Sequence, residues 1–161
     1  MLPDLDTSAE TRIESLNHTA LNTTDGSWGA LVSGVCAGEQ EVTRFPLYEL
    51  MDRGNIDVVQ FDVCRVGGLT EARRVAQAAH DRNRPWASHC YSTGIVIMAS
   101  VHLAAASPTY FYVEYTMSES KLAHELIYPP LQPKNGIIRV PEGPGLGIEL
   151  NEDLVEKLKV N

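Results

Sequence analysis

Four side chains capable of acid–base chemistry are spaced along the middle of the sequence, each at the end of a short, mainly apolar stretch. Glu39 and Asp62 follow the stretches 35–37 and 58–61, while His89 and Glu114 follow 86–88 and 111–113. Carboxylates and imidazoles exchange protons with substrates, and carboxylates also bind hard divalent cations. A histidine is suited to proton transfer because its unperturbed pKa lies near neutrality. The spacing therefore predicts one polar functional residue at the end of each strand.

Residues 56–94 have the pattern of a strand, a helix and a second strand. The apolar, β-branched run at 58–61 is typical of a buried parallel strand, and Gly67-Gly68 favours a tight turn after it. Small apolar residues then recur at helical spacing, namely Ala72, Val75, Ala76 and Ala79. In parallel α/β sheets, ligands bind where strands end, so we expect Asp62 and His89 to contact each other at neighbouring strand ends.

Repetition of this pattern predicts the fold class and the organisation of the chain. Strands near 35, 58, 86 and 111 alternate with helical segments, which predicts an α/β fold with four parallel βα units over residues 28–119. Residues 1–27 are rich in Thr, Asn, Ser and Asp and are predicted to be a poorly ordered leader. Residues 120–161 are predicted to form a loop-rich tail with a hairpin at 136–140 and a final helix, capped by Asn151.

Composition restricts the classes of function. The 161 residues can bury one core, and a formal net charge of −8 argues against nucleic-acid binding, which needs clustered Lys and Arg. The three cysteines lack C-x-x-C spacing, which indicates a reduced compartment. With neither a secretory signal nor an apolar run long enough to span a membrane, the expected location is the cytoplasm.

Each candidate residue also has a purely structural interpretation. Glu39 could be a solvated loop carboxylate, Asp62 could pair with Arg65, His89 could be a packed core histidine, and Glu114 could simply end a strand. The functional interpretation is favoured because all four residues occupy the same place in successive repeats. Like charges gathered at one sheet edge destabilise one another unless a cation or substrate lies among them.

Several motifs in order resemble the mandelate racemase/muconate lactonizing enzyme branch of the enolase superfamily, and most closely its acid-sugar dehydratases. The motifs are G-E-Q-E at 38–41, V-Q-F-D-V-C-R-V-G-G-L-T-E-A at 59–72, S-H-C-Y-S-T-G-I at 88–95, V-E-Y at 113–115 and P-G-L-G-I-E-L at 144–150. The resemblance covers about residues 28–160. It implies that the four βα units are the C-terminal half of a (β/α)8 barrel, followed by the family's C-terminal tail.

The resemblance also implies a role for each candidate. Glu39 matches a carboxylate ligand of an essential Mg²⁺, and Asp62 and His89 match a dyad in which the carboxylate orients the imidazole. Glu114 matches the acid that hydrogen-bonds the carboxylate of the substrate. The implied reaction is abstraction of the proton α to a carboxylate, with the enolate stabilised by the metal, and loss of water from a sugar acid.

Several residues and strands of the family pattern have no match in this sequence. A (β/α)8 barrel needs about 200–250 residues, and the family's K-x-K base and first metal-ligand Asp have no match here. Lys157-Leu158-Lys159 fits K-x-K only as a string, because it falls in the predicted terminal helix. Glu14 lies at about the right distance before Glu39 to be a second metal ligand, without the family's usual E-E-P.

These departures leave three hypotheses open. The chain could be part of a Mg²⁺-dependent lyase, inactive in isolation and active with a complementary N-terminal half. It could be a non-catalytic remnant that self-associates or binds through its open half-barrel, or an unrelated α/β binding domain. If Val35, Val59, Phe61 and Ala87 face the barrel interior, they lose their partners, which predicts a homo-oligomer or a complex with the N-terminal half.

Overall fold

The computed structural model describes residues 10–12 and 34–160. The described strands are β1 (Glu10–Arg12), β2 (Cys36–Ala37), β3 (Val58–Phe61), β4 (Trp86–Ser88), β5 (Tyr110–Val113), β6 (Ile127–Tyr128), β7 (Ile137–Arg139) and β8 (Glu149–Leu150). The helices are α1 (Arg44–Arg53), α2 (Leu69–Asp81), α3 (Gly94–Ala105), α4 (Lys121–His124) and α5 (Glu152–Leu158).

The central sheet is parallel, in the order β2-β3-β4-β5, with α1, α2 and α3 as the crossovers between successive strands. Val59 is paired with Trp86, and Phe61 with Ser88, so neighbouring strands end at nearly the same level. This register follows from the short apolar stretches, since each is just long enough to cross the core before a polar residue appears. The predicted α/β class with four parallel βα units is confirmed.

The helix side of this sheet carries the core. Val59, Phe61 and Trp86 are completely buried there, and the rings of Phe61 and Trp86 stack with centroids 5.0 Å apart. They pack with residues of α1, α2 and α3 in one apolar cluster. The prediction that Val59 and Phe61 face the barrel interior is therefore wrong, because the register turns these odd-numbered positions of β3 toward the helices.

The opposite face of the sheet carries Cys36, Gln60, Ala87 and Tyr112. Pairing of Gln60 with Ala87, and of Ala87 with Tyr112, places their side chains on one face. The thiol of Cys36 donates a hydrogen bond to Gln60 Oε1 at 3.7 Å, and burial raises the pKa of this thiol. Ala87 lies on this face as predicted, but it is completely buried, whereas Val35 precedes β2 and is half exposed. The prediction that Ala87 would be left exposed in an open half-barrel is therefore wrong for the described structure.

The strand of the predicted hairpin at 136–140 pairs mainly with a segment outside the tail. Within the tail, a minimal hairpin closes around Asn135-Gly136 through reciprocal hydrogen bonds between the backbones of Lys134 and Ile137. β7 pairs antiparallel with β1, so the strand within 136–140 has its partner in the predicted leader, and a single bridge joins Lys134 to Ile137. β6 pairs antiparallel with β8. The remainder of residues 1–27 lies outside the described residues, so the prediction of a poorly ordered leader stays a prediction there.

The ends of the tail are fixed by side chains. His102 Nε2 on α3 lies 3.1 Å from the carbonyl oxygen of Leu146, within the P-G-L-G motif. Asn151 caps α5 as predicted, because its side chain accepts a hydrogen bond from the amide of Leu154 at 3.1 Å. Among the described residues, no helix has both the length and the apolar character needed to cross a membrane.

Candidate active site

A histidine–aspartate pair forms the centre of the candidate site. His89 Nδ1 lies 3.2 Å from Asp62 Oδ2, and both residues directly follow neighbouring parallel strands. The backbone amide of His89 also donates to the carbonyl of Phe61 at 2.9 Å, which continues the β3–β4 ladder beyond the last strand residue. The contact predicted between these two strand ends is thus present.

Asp62 is held by more than the imidazole. Its Oδ1 accepts hydrogen bonds from the backbone amides of Cys64 at 2.7 Å and Arg65 at 3.1 Å, in the turn that follows β3. The side chain of Asp62 is only 7% exposed, so these bonds fix a carboxylate that water hardly reaches. The structure shows Arg65 contacting Asp62 through its backbone amide, a different interaction from the ion pair considered from sequence.

This anchoring determines which nitrogen of His89 carries the proton. An ionised carboxylate only accepts hydrogen bonds, so the Nδ1 that faces Asp62 is the protonated nitrogen of the neutral ring. Nε2 is then left with a lone pair and lies 3.8 Å from Glu39 Oε2. The ring therefore presents Nε2 at the carboxyl edge of the sheet, between the ends of β2 and β3.

Glu39 reaches the site because of the glycine before it. Gly38 has a φ of +121°, and a Cβ there would lie 2.6 Å from the carbonyl oxygen of Gln60 and 2.7 Å from Leu47 Cδ2. Only glycine lets the chain pass so close to β3 and turn in this way. Glu39 follows with its side chain 45% exposed, so it is far more open to solvent than Asp62, which is 7% exposed.

Glu114 is connected to the dyad through the backbone. Its Oε2 accepts a hydrogen bond from the amide of Cys90 at 2.8 Å, and Cys90 directly follows His89. The amide of Glu114 lies 3.4 Å from the carbonyl of Ser88, which extends the β4–β5 ladder in the same manner. The structure thus brings Glu39, Asp62, His89 and Glu114 to one edge of the sheet.

The donor set has the chemistry that Mg²⁺ prefers but not the number of ligands. Both oxygens of Asp62 already accept hydrogen bonds, whereas Glu39 and Glu114 each accept one, from Gln40 Nε2 and from the amide of Cys90. The side chain of Glu39 is 45% exposed, so its second oxygen is open to an ion. Among residues 10–12 and 34–160, no group of three or more His, Cys, Asp or Glu side chains could hold a metal ion. A Mg²⁺ ion takes a near-octahedral shell of oxygens, so these residues do not fit a complete site.

The remaining sequence candidates do not join this constellation. Lys157 is exposed in α5 and Lys159 follows it, with its ammonium 3.4 Å from Glu156 Oε1, so the K-x-K string lies on a solvated helical segment. Glu14 lies outside the described residues. Sequence reasoning also missed the structural role of Cys90, which it considered only as evidence of redox compartment. Its position directly after His89 is the signal that could have drawn attention to it.

Comparison with known proteins identifies the family. The family model described as enolase C-terminal domain-like matches residues 12–154. The chain belongs to the enolase C-terminal domain-like family. The match confirms the predicted membership of the enolase superfamily, in its mandelate racemase/muconate lactonizing enzyme branch.

Two curated proteins similar to this chain are named for a sugar acid or a sugar-acid lactone. A D-galactarolactone cycloisomerase from Agrobacterium fabrum is 28% identical over 134 residues, which cover 78% of this chain and 35% of that protein. A D-xylonate dehydratase from Haloferax volcanii is 34% identical over 122 residues, covering 76% of this chain and 30% of the dehydratase. The chain thus spans about a third of the length of these relatives.

A solved structure of the family confirms the architecture. The 3,6-anhydro-D-galactonate cycloisomerase from Zobellia galactanivorans superposes with a TM-score of 0.74 and 31% identity, over 81% of this chain and 37% of that structure. The four parallel βα units therefore correspond to the C-terminal barrel portion of enolase-like structures.

Proposed function

We propose that this chain provides the proton-transfer part of an acid-sugar dehydratase site, in a barrel completed by a complementary N-terminal half. The observation that carries the proposal is the contact between His89 Nδ1 and Asp62 Oδ2 at 3.2 Å, which leaves Nε2 facing the carboxyl edge of the sheet. The similarity to a D-xylonate dehydratase supports the substrate class.

The dyad suits the chemistry of dehydration. Loss of water from a sugar acid requires a base to take the proton α to the carboxylate and an acid to protonate the departing hydroxide. The product enol then becomes a 2-keto-3-deoxy acid. His89 Nε2 can perform either transfer, because Asp62 holds the ring in the tautomer with Nδ1 protonated and supports its protonated form. The second transfer requires a group on the opposite face of the substrate.

The two glutamates have separate roles in this proposal. Glu114, fixed by the amide of Cys90, is assigned to the carboxylate of the substrate, and Glu39 is assigned to Mg²⁺ as one ligand of several. Because the described residues do not complete a metal site, the other ligands would come from the complementary half. The same applies to the missing lysine base, since Lys121, Lys134, Lys157 and Lys159 all follow β5.

A second candidate function is binding without catalysis. Three apolar side chains are exposed in the loops that follow β2, β4 and β5, namely Val42, Tyr91 and Met117. They surround the same edge of the sheet as the candidate site, so a partner could cover this edge whether or not any chemistry takes place there.

Enzyme assays distinguish these two functions. With Mg²⁺ and a panel of pentonic and hexonic acids, the isolated chain should release no 2-keto-3-deoxy acid above background. In a chimera, residues 34–154 replace the matching C-terminal portion of the Haloferax D-xylonate dehydratase. This chimera should release ketoacid, and His89→Asn should lower the turnover about 100-fold or more, the usual contribution of general acid–base catalysis.

The control variant in the chimera is Glu142→Gln, which changes an exposed tail carboxylate and should leave turnover unaltered. A chimera that unfolds cooperatively and binds Mg²⁺, yet releases no ketoacid from any acid tested, would contradict the catalytic proposal and favour the binding function. Unchanged turnover in the His89→Asn chimera would show that the His89–Asp62 dyad does not transfer protons in the reaction.

A further inference from the structure

Three polar side chains are completely buried on the helix side of β4, behind the imidazole of His89. They are Ser88 at the end of the strand, Cys90 after it, and Ser100 on α3. The thiol of Cys90 donates a hydrogen bond to Ser100 Oγ at 3.1 Å, and Ser88 Oγ lies 3.2 Å from the same sulfur. Because a thiol has one hydrogen, the hydroxyl of Ser88 must be the donor to the sulfur.

This cluster fixes the chain on both sides of His89. The residues before and after the histidine are both tied, through the sulfur of Cys90, to one serine of α3. Alternation along the extended chain then directs the imidazole to the opposite side, where it meets Asp62. The cluster therefore restrains the direction of the His89 side chain without touching the ring.

The same cysteine also holds Glu114. Its backbone amide donates to Glu114 Oε2 at 2.8 Å, so a shift of Cys90 moves the hydrogen-bond donor of that carboxylate. An apolar residue of similar size would fill the volume of the thiol, but it would leave the hydroxyls of Ser88 and Ser100 buried without this partner. Such orphaned groups are costly, which favours a displacement of the strand end.

We propose that Cys90, bonded to Ser88 and Ser100, is a positioning residue that sets the geometry of His89 and Glu114 together. This inference rests on the proposed function, in which those two residues meet the substrate. Cys90 itself does not reach the reacting atoms, because it faces the helix side of the sheet. The cluster holds the end of β4 in place by hydrogen-bonding it to Ser100 of α3.

The test uses NMR on the isotopically labelled full chain to follow the hydrogen bonds of His89 and Glu114. One signal is the proton on His89 Nδ1, which moves downfield when it is bonded to a carboxylate, and the other is the carboxyl carbon of Glu114. Cys90→Ala should remove or broaden the first signal and shift the second. Cys90→Ser keeps a donor and an acceptor and should therefore show both signals as in the parent chain. Ser100→Ala should weaken the first signal and shift the second, as Cys90→Ala does.

The control is Ile97→Val, a trimmed apolar side chain that is also completely buried in α3. It should lower the Tm while leaving both signals in place. The proposal is overturned if Cys90→Ala leaves both signals unchanged, or if Ile97→Val moves them as much. If Cys90→Ala does not fold, Ser100→Ala decides instead, and unchanged signals in that variant overturn the proposal.

These signals do not depend on turnover. An inactive chimera with an intact His89–Asp62 signal would therefore contradict the proposed function while leaving the positioning role in place. An active chimera whose Cys90→Ala variant retains both signals would contradict the positioning role alone.

Discussion

At the scale of single residues, the site consists of one imidazole among three carboxylates. Asp62 is buried and engaged with N–H donors at both oxygens, whereas Glu39 is nearly half exposed. The two carboxylates nearest the ring therefore differ in what they can do. In the proposed function, Asp62 therefore orients His89, and Glu39 is the carboxylate that binds a cation.

Magnesium binding to the isolated chain should be weak, because Glu39 supplies one oxygen ligand and the ion gives up its waters reluctantly. We expect a Kd of about 1 mM or weaker by calorimetry. Glu39→Gln should abolish the residual binding, and Glu142→Gln in the exposed tail should not affect it. A micromolar affinity would contradict this and would imply ligands beyond the residues described here.

The thiol of Cys90 should make the stability of the chain fall at alkaline pH. Burial raises the pKa of this thiol from 9.0 to about 12, so the unfolded state loses the proton first as the pH rises. The contribution of the protonated Cys90 thiol to the free energy of unfolding is fully present below about pH 9. It is lost as the pH rises from 9 toward 12. At pH 10 the loss should be about 1 kcal/mol.

Urea unfolding of the parent and of Cys90→Ser from pH 8 to pH 10 measures this effect, because serine does not titrate in that range. The parent should lose stability more steeply than the variant. Cys64→Ser is the control, since the side chain of Cys64 is exposed and should change the slope less. Equal slopes for the parent and Cys90→Ser would contradict the prediction.

At the scale of elements, the strands define the site by where they end. β3 and β4 are paired so that Asp62 and His89 follow at the same level, and β5 is paired so that Glu114 follows level with His89. A slip of one residue would turn each side chain to the other face of the sheet. The apolar helix side favours this register, because it buries Phe61 and Trp86 completely.

Attachment of α5 should depend on Asn151. Its side-chain oxygen caps the helix at the amide of Leu154, and its Nδ2 donates to the carbonyl of Glu125 at 3.0 Å. Asn151→Ala removes both bonds and should lower the free energy of unfolding by about 1–2 kcal/mol in urea titration. Asn151→Asp keeps the cap and should cost less. Equal losses for the two variants would show that the cap contributes nothing.

At the scale of the whole molecule, the described sheet has the form of an open half of a barrel. β2 is an outer strand of the four-stranded sheet, and among the described residues no strand pairs with it on its other side. The exposed apolar side chains of the edge loops are Val42 at 61%, Tyr91 at 65% and Met117 at 80%. Removing these groups from water is favourable by roughly 25 cal/mol per Å² of apolar area.

The chain should therefore associate with itself, or with a complementary half, at micromolar concentration. Sedimentation velocity should show species larger than 17.7 kDa. Tyr91→Ser combined with Met117→Ser should shift the distribution toward the monomer. Val160→Ser, at an exposed position near the C-terminus, should not. A stable, monodisperse monomer with cooperative unfolding would contradict this expectation.

The sequence by itself determined the order of the elements and the polar residues that follow the four parallel strands. Apolar stretches of strand length, each followed by a polar residue, are local features, and parallel pairing necessarily brings their carboxyl ends to one edge. The sequence alone therefore identifies Glu39, Asp62, His89 and Glu114 as residues that meet at one edge. The cap of α5 was equally predictable, because Asn151 acts within one turn of helix.

Tertiary structure alone decided which faces the strands present and what lies behind the site. A run such as 58–61 is apolar at positions of both faces, so its periodicity cannot show that Val59 and Phe61 turn toward the helices. The partner of β7 could not be predicted either, because pairing with β1 joins segments more than a hundred residues apart. The cluster of Ser88, Cys90 and Ser100 depends on packing α3 against β4, and only that packing turns three ordinary polar residues into a support for His89.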